Sequence, residues 1–552
     1  MSSLTAAPPA ATPVRRLRVT SVVVVGLVAA LLLAAVHLTQ GTADVGVGDL
    51  VRLLVGGSGT EQEIAVVVAS RIPRLLAGVL VGVALGLSGA ALQSVARNPL
   101  AAPDLLGVDS GAYLLLAAAS VTVAGPMGFV GLAAPAIVRL LGPRVPGLLR
   151  HRALLPVSAL SGVVVVLGAD VLVRWALGAQ VGGVEVPTGV ITSLFGAGFL
   201  IVLACRYRSS AGRPAPVARS SRLRGRGGFV VVTAAAAVVT GAAAVGALLL
   251  GDAWLLTGDL ANWAIGRSGP IVTSVLDARV PRVLAALVAG AALAVAGAII
   301  QACCRNPLAE PGIIGVVSGA GLGAVLVLTL VPTAGTWSIT GAAFAGAAVA
   351  SVVVFGLAVR GGLESDRLVL IGVGVAAAAD AMITVVIVLT DPWSIAKALT
   401  WLSGSTYGRT LPLVVPVAAT LLLAVPPLWR AHRTLDVLAV DDDTPRVVGV
   451  RLERARPLLL GLACLLTATA VSAVGVIAFV GLVAPHAARA LVGGRNARVL
   501  PVAALLGALL VSVADTLGRT VIAPQQLPAG VLTALVGTPY FVWLLWRYRS
   551  AD

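Results

Sequence analysis

Charged residues are scarce in this chain: they make up 11% of its 552 residues, against 58% that are hydrophobic. The mean hydropathy is +1.02, and a soluble protein of this composition would have too little polar surface to cover its core. Apolar stretches of about 20 residues recur along the chain, and each is long enough to cross the hydrocarbon core of a bilayer. The sequence therefore predicts an all-α protein with many membrane spans. Because Ala, Gly, Val and Leu dominate while aromatics are few, we expect closely packed helices.

Lysine is nearly absent, and Lys397 is the single one. A nucleotide-binding P-loop needs a lysine after its glycine-rich turn to reach the phosphates, and no such turn precedes Lys397. We therefore expect no ATPase and no other enzyme activity in this chain. The four cysteines form no CxxC pair and the four histidines are scattered. We predict neither a disulfide framework nor a metal site, and no directly bound cofactor.

The net charge of +16 comes from arginines in short segments at every second boundary of the apolar stretches. The clearest segments are 15–18, 206–228, 430–433, 451–456 and 547–550. This placement is typical of cytoplasmic loops under the positive-inside rule and argues against a nucleic-acid partner. We expect a multi-pass protein of the bacterial cytoplasmic membrane with both termini in the cytoplasm. The first apolar stretch is interpreted as a retained span rather than a cleaved signal peptide.

An internal repeat organises the chain. Residues 71–112 and 279–320 are identical at 22 of 42 positions without a gap. Residues 128–142 resemble 478–493, but there the offset is 350 instead of 208, so the first half lacks about 142 residues that the second half has. The predicted domains are a shortened repeat, a basic linker and a complete repeat, at 1–205, 206–228 and 229–552.

The apolar stretches predict about sixteen spans, six in the first half and ten in the second. Those of the first half are 19–38, 75–95, 107–125, 128–141, 153–173 and 188–205. Those of the second half are 229–250, 281–303, 312–332, 337–359, 366–390, 411–429, 457–476, 479–492, 499–518 and 529–547. The missing block corresponds to spans four to seven, an even number, so the later spans keep their orientation. A short amphipathic helix on the outer side is expected at 393–404.

Several motifs of the second half are specific enough to indicate a family. They are "RNPLAEPGIIGVVSGA" (305–320), "LVLIGVGVAAA" (368–378), "WLSGS" (401–405), "IAFVGLVAPHAARALVG" (477–493) and "LPAGVLTALVGTPYFVWLL" (527–545). They resemble the FecCD-type permeases, the membrane subunits of binding-protein-dependent ABC importers for ferric siderophores, haem and cobalamin. The resemblance implies a ten-span repeat like that of the cobalamin permeases. It also implies a separate cytoplasmic ABC ATPase that uses ATP, and an extracytoplasmic substrate-binding protein.

The charged segment 435–456 of the second half resembles the coupling helices that dock such permeases on their ATPase. The residues that the resemblance assigns to this role are Asp441, Asp442, Asp443, Arg446, Gly449, Arg451 and Arg454. A short helix, a glycine turn and a basic second helix are expected, and the aspartates would favour a helix N-terminus through its dipole. The alternative is a solvated loop whose arginines only set the topology. The first half has lost this segment.

Six arginines stand at the predicted outer ends of spans, where the positive-inside rule gives no reason for them. They are Arg71, Arg74, Arg174, Arg279, Arg282 and Arg519. In the resembled family, corresponding arginines bind glutamates of the substrate-binding protein, which suits the guanidinium fork. The alternative is pairing inside the permease, between Asp170 and Arg174 and between Asp277 and Arg282.

The repeated RNPLA phrase, followed by a second proline, predicts a cytoplasmic turn after the second span of each half. Two prolines bar a regular helix there. The turn residues are Asn98, Pro99 and Pro103 in the first half and Asn306, Pro307 and Pro311 in the second.

The leading hypothesis is a permease subunit of an ABC importer for a ferric siderophore or a related metal chelate. The alternatives are an ion-coupled secondary transporter and a degenerate permease that no longer transports. Ion coupling is disfavoured because both repeats start on the same side of the membrane and acids within spans are scarce. Asp380 lies within a span, and we expect it to be paired or packed against a helix. The missing block keeps the degenerate alternative open.

Overall fold

The structure is a computed structural model that describes residues 18–40, 46, 48, 52, 71–95, 129–177, 188–206, 225–359, 365–441 and 443–549. Within these residues it contains eighteen α-helices and no β-strand, so the predicted all-α fold is confirmed. The chain divides into two compact units, Met1–Phe199 and Leu200–Asp552. The division falls close to the predicted boundary at 205, and the domain bounds themselves, with the linker, stay a prediction.

The first unit contains helices at five of the six predicted spans. They are α1 (Val19–Thr39), α2 (Ile72–Val95), α3 (Val130–Leu141), α4 (His151–Leu177) and the first part of α5 (Thr188–Arg206). The remaining predicted span, 107–125, lies outside the described residues. Helix α4 is central, because α1, α2 and α3 all pack against it.

The second unit has a helix at each of its ten predicted spans, together with three short ones. They are α6 (Arg226–Leu249), α7 (Thr257–Ala264), α8 (Pro270–Cys303), α9 (Val316–Leu330), α10 (Thr336–Val359), α11 (Ser365–Val388), α12 (Pro392–Leu402), α13 (Leu411–Leu438), α14 (Thr444–Val447), α15 (Leu452–Val474), α16 (Val480–Val492), α17 (Asn496–Thr520) and α18 (Ala529–Arg549). Helix α8 lies at the centre and packs against α13, α15, α16 and α17.

Two helix boundaries differ clearly from the sequence-based expectation, and one helix was not expected. Helix α8 begins at Pro270 rather than at 281, and α13 continues to Leu438 rather than ending at 429. Both extensions contain charged residues, so hydropathy alone could not detect them. Helix α7 was not predicted at all. The expected short helix at 393–404 is present as α12, where Asp391 Oδ1 accepts the N–H groups of Trp393 (3.0 Å) and Ser394 (3.1 Å) as an N-cap.

Ten of the described helices are long and apolar enough to cross a membrane by length and composition. Four shorter apolar helices occur at Gly189–Cys205, Val316–Leu330, Val480–Val492 and Ala529–Tyr540. The chain is therefore a multi-pass membrane protein, while the total of sixteen spans stays a prediction.

Glycines bring the central helices of each unit into backbone contact. A Cβ atom added at Gly297 of α8 would lie 1.9 Å from the Gly481 carbonyl oxygen on α16. The corresponding distance in the first unit, from Gly89 of α2 to the Gly131 carbonyl oxygen on α3, is 1.8 Å. Only glycine permits approaches this close, which are common where membrane helices cross. Both units therefore share the same inner packing.

Within the part of the chain that the structure describes, one face of α2 lacks the cover that its counterpart α8 has. In the most apolar part of each helix, 28% of α2 is buried within the protein, against 78% of α8. Leu87 of α2 is 38% exposed, whereas Val295, at the same place on α8, is 5% exposed. Helix α8 is covered by α13 and α15, and their counterparts belong to the block that the first half lacks. The deletion thus removes the cover of α2 and leaves its packing against α4 intact.

Candidate functional site

The segment 435–456 joins α13 to α15 at one end of the second unit, which we call the basic end. After α13 ends at Leu438, α14 covers Thr444–Val447 and α15 begins at Leu452. Between them Gly449 takes a left-handed conformation with φ of +82°, which side chains disfavour. The expected short helix, glycine turn and second helix are therefore present. Their role in docking an ATPase stays a prediction.

Asp441 holds the start of α14. Its Oδ1 accepts the backbone N–H groups of Asp443 (3.0 Å) and Thr444 (2.5 Å), and its Oδ2 accepts the Thr444 hydroxyl at 2.7 Å. These bonds, the Thr444 hydroxyl above all, hold the pKa of Asp441 below its ordinary value. Asp442 lies outside the described residues, and Asp443 forms an exposed 3.6 Å pair with Arg446 that contributes little stability. Direct capping by Asp441 therefore stabilises this turn, while the dipole effect expected of the three aspartates stays a prediction.

Three exposed valines project from the same segment, and we call them the valine patch. They are Val440 (56% exposed), Val447 (86%) and Val448 (59%). The predicted basic residues Arg446, Arg451 and Arg454 are also exposed in this segment. Apolar groups beside charged ones on a surface are typical of protein interaction sites. Sequence reasoning had selected the charges and missed the valines, because a valine in a loop carries no signal of its exposure.

Asp436, on the last turns of α13, ties the base of this segment to α17. Its Oδ1 accepts the backbone N–H of Asn496 at 2.6 Å and the Asn496 side-chain amide at 2.9 Å. Asn496 is the first residue of α17, where N–H groups have no partner within the helix. The connecting segment is thereby anchored to the unit's central helices. Sequence reasoning missed this contact because its partners are 60 residues apart.

At the opposite end of the second unit, arginines cap the last turn of α6. Arg279 donates to the carbonyl oxygens of Leu248 (3.0 Å) and Leu249 (3.3 Å), and Arg519 donates to that of Ala247. These carbonyls have no partner within the helix, so cationic donors at a helix C-terminus satisfy and stabilise them. Arg279 also pairs with Asp252 at 3.0 Å, which holds the pKa of that carboxyl below its ordinary value.

The same end contains a buried ion-pair network centred on Asp515 of α17. Arg282 of α8 donates through Nε to Asp515 Oδ1 at 2.9 Å, and Arg519 lies 3.7 Å from Oδ2. Thr406 donates its hydroxyl to the same carboxylate, and Arg282 also donates to the side-chain oxygen of Gln526 at 2.7 Å. The carboxylate thus links α8, α17 and the residues after α12.

The first unit repeats this arrangement with its own residues. Arg71 donates to the Leu38 carbonyl at 2.6 Å and Arg174 to the Gln40 carbonyl at 3.0 Å, which caps α1. Arg74 and Arg174 pair with Asp170 at 3.4 and 3.0 Å. Buried His37 adds a 2.7 Å contact to this carboxylate. The shortened half therefore keeps the capping and the ion pairs of the complete half.

The arginine geometry corrects one predicted pair. The expected Asp170–Arg174 pair is present, but the expected Asp277–Arg282 pair is wrong, because Asp277 accepts the Trp263 indole N–H at 2.9 Å and Arg282 bonds Asp515. Docking of a binding protein by the six arginines stays a prediction. In this structure these arginines donate to carbonyl, carboxylate and amide oxygens of the protein itself. The alternative of pairing inside the permease is therefore present in the structure.

The RNPLAEP turn of the second unit has the expected form. After α8 ends at Cys303, Asn306 Oδ1 accepts the Leu308 N–H at 2.9 Å, and Pro311 begins a 3-10 turn, Pro311–Ile314. The counterpart residues Asn98, Pro99 and Pro103 lie outside the described residues. Pro307 follows Asn306 in the non-helical part of the turn.

Just before this turn, each unit has a glutamine–arginine contact that sequence reasoning missed. Gln301 of α8 donates to the Leu482 carbonyl at 3.3 Å and accepts from Arg489 of α16. In the first unit Gln93 donates to the Leu132 carbonyl at 3.4 Å and accepts from Arg139 at 3.1 Å. The sequence did contain a signal for this contact, because both the glutamine and the arginine occur at equivalent positions of the two halves.

Comparison with known proteins agrees with the repeated geometry. The model of the FecCD transport family matches residues 26–119, 113–206 and 237–547. The chain belongs to the FecCD transport family. Its second half is matched in one piece and its first half in two, with the break where the sequence places the missing block.

Curated relatives of this FecCD member include permeases that match most of the chain and permeases that match about half of it. The iron(3+)-hydroxamate import system permease protein of Salmonella typhimurium is 37% identical over 487 residues, covering 86% of this chain and 67% of the relative. The Fe(3+) dicitrate transport system permease protein of Escherichia coli is 42% identical over 290 residues, covering 52% of this chain and 90% of the relative.

Among solved structures, a metal-chelate type ABC transporter in an inward-facing conformation superposes with a TM-score of 0.51 at 26% identity. The superposition covers 58% of this chain and 99% of the solved chain. A single solved chain thus corresponds to little more than half of this FecCD member, as expected if the chain contains one complete repeat and a partial one.

Proposed function

We propose that this chain is the permease subunit of an ABC importer that takes up ferric siderophores or related metal chelates. The names of its relatives, which describe iron(3+)-hydroxamate import and Fe(3+) dicitrate transport, support the substrate class. Separate cytoplasmic ATPase subunits hydrolyse ATP, and an extracytoplasmic binding protein delivers the chelate. The permease itself needs no bound cofactor.

The valine patch is the observation that carries this proposal. Val440, Val447 and Val448 are exposed at the basic end, which the positive-inside rule assigns to the cytoplasm. Apolar side chains in water gain free energy when a partner covers them. We infer that the patch docks the ATPase and that Arg446, Arg451 and Arg454 orient it through charge complementarity. Each chain provides one such segment, because the first half lacks it.

At the opposite end, the binding protein would meet the outer arginines. Arg74 has the most exposed side chain of the six, at 21%, against 12% for Arg174 and less for the others. We therefore propose Arg74 as the arginine that a glutamate of the binding protein reaches first. Of the remaining five, four support the docking surface by holding the ends of α1 and α6 in place, namely Arg71, Arg174, Arg279 and Arg519. Arg282 supports it through its bonds to Asp515 and Gln526.

The test is a pair of valine substitutions in the chain expressed with its ATPase. Val447→Asp places a charge in the valine patch, whereas Val521→Asp places one at the opposite end, where Val521 is 68% exposed. Only Val447→Asp should abolish ATPase co-purification, with both variants present in the membrane at the normal level, and uptake of a radiolabelled ferric hydroxamate by Val447→Asp should be lost with it. Unchanged co-purification in Val447→Asp would contradict the assignment.

A further inference from the structure

Arg409 is an arginine at the end of the second unit that lies opposite the basic end, and it is not one of the six predicted there. It belongs to the segment 403–410, which joins α12 to α13. Its Nε donates to the Ser405 carbonyl oxygen at 3.2 Å. Thr406 of the same segment donates to Asp515, which places the segment beside the buried ion-pair network.

The charge of Arg409 is not neutralised within the described part of the chain. The bond to Ser405 is the single hydrogen bond that its side chain forms there, and no Asp or Glu of those residues pairs with it. Burial lowers the pKa of Arg409 below its ordinary value, and no neighbouring acid opposes this effect. By contrast, Arg282 and Arg519 both pair with Asp515.

The two terminal nitrogens of this guanidinium are open to a ligand. Neither is among the buried side-chain atoms that lack a hydrogen-bond partner, so both reach the surface of the unit. Arg409 as a whole is half-buried, while its neighbours Tyr407 and Thr410 are exposed. A flat protein surface would therefore meet these neighbours first, whereas a small molecule can reach the recessed guanidinium.

The segment that carries Arg409 is fixed to two helices of the unit. The Ser405 N–H donates to the carbonyl oxygen of Val474, the last residue of α15, at 2.7 Å. The N–H of Gly530, in the first turn of α18, donates to the Gly404 carbonyl oxygen at 3.1 Å. A binding group on a segment held in this way loses little conformational freedom when a ligand arrives.

A half-buried guanidinium without a counter-charge is suited to an anion with two oxygens. Its terminal N–H groups match the geometry of a carboxylate, and such charge-assisted bonds are stronger where water is partly excluded. We propose that Arg409 binds a carboxylate of the incoming ferric chelate. The inference rests on the proposed function and adds to it a preference for chelates that carry a carboxylate. The counterpart of 403–410 belongs to the block that the first half lacks, so each chain offers this arginine once.

Equilibrium binding of ferric citrate to the full chain in nanodiscs, without ATPase or binding protein, tests the assignment. Arg409→Gln should weaken binding about tenfold, as loss of one charge-assisted contact predicts. Arg409→Lys should weaken it less, because lysine keeps the charge and lacks the fork. Arg267→Gln, at an exposed arginine between α7 and α8, is the matched control and should bind normally. Absence of binding by the unsubstituted chain, or equal losses in Arg409→Gln and Arg267→Gln, would overturn the assignment.

A second measurement distinguishes a carboxylate of the chelate from one of the binding protein. The binding protein without chelate should dock on Arg409→Gln with the same affinity as on the unsubstituted chain. If docking weakens while ferric citrate binding does not, the carboxylate that Arg409 binds belongs to the binding protein, and the proposal is wrong.

ATP-dependent uptake separates this inference from the proposed function. With ATPase and binding protein present, Arg409→Gln should still take up a ferric trihydroxamate that has no carboxylate, at the normal rate. Such uptake together with normal ferric citrate binding by Arg409→Gln would overturn the role of Arg409 and leave the importer intact. If the unsubstituted chain takes up neither chelate, the proposed substrate class is wrong, and ferric citrate binding to the chain alone still decides the role of Arg409.

Discussion

Arg282 of α8 and Asp515 of α17 form a buried ion pair, with Nε 2.9 Å from Oδ1, between residues 233 positions apart. Arg74 and Asp170 repeat it in the first unit at 3.4 Å. A pair retained in both halves, although one has lost four predicted spans, indicates that it belongs to the common structural frame.

Removing one partner of this pair should destabilise the protein. Arg282→Ala leaves Asp515 buried with less compensation, at a cost of about 3–5 kcal/mol. We expect a lower melting temperature in detergent and less protein in the membrane. Arg267→Ala, at an exposed arginine, is the control and should change neither. If Arg282→Ala melts normally but no longer binds the extracytoplasmic partner, the docking role is correct instead.

Two glycines on the last helices of the units should tolerate no methyl group. A Cβ at Gly537 would lie 2.4 Å from Phe479 Cβ, and one at Gly196 would lie 2.1 Å from Phe129 Cβ. The phenylalanines cannot easily retreat, because both hold left-handed backbones with φ of 67° and 65°. Either glycine-to-alanine change should cost about 1–3 kcal/mol, measured as loss of thermal stability in detergent.

Gly198 provides the matched control for Gly196 on the same helix. Nothing lies within 4 Å of a Cβ at Gly198, so Gly198→Ala should be neutral or slightly stabilising because alanine favours helix. A harmless Gly196→Ala beside a damaging Gly537→Ala would show that the shortened unit does not pack as its complete counterpart does.

Much of the helix framework was predictable because long apolar stretches indicate membrane spans directly. The spans of the second half and the turn at Asn306 followed from hydropathy and proline chemistry. The missed features depend on contacts distant in sequence. Asp277 was chosen as the partner of Arg282 for its proximity along the chain, whereas the actual partner, Asp515, has no local signal. The exposure of Val447 and the contact of Asp436 with Asn496 likewise arise only when helices assemble.

The turn at Asp441 should depend on pH in a defined direction. Its pKa is lowered in the folded state, so the ionised carboxylate stabilises the turn above the ordinary aspartate value, and this is lost as pH falls through the lowered pKa. Hydrogen exchange at the Thr444 amide, corrected for intrinsic rates, should stay slow at about pH 5 and accelerate below about pH 4. Asp441→Ala should exchange rapidly at both. Slow exchange in that variant would rule out the cap.

Asp436 should determine how firmly the docking segment is held against the central helices. Asp436→Ala leaves the Asn496 backbone N–H without its acceptor, at a cost of about 1–3 kcal/mol. Because the valine patch itself is unchanged, the ATPase should still co-purify, while chelate uptake per molecule of ATPase should fall severalfold. Asp436→Asn keeps a side-chain oxygen that can accept both bonds and should retain most uptake. Normal uptake in Asp436→Ala would mean that movement passes from the ATPase to the spans through α15 rather than through the junction of α13 with α17.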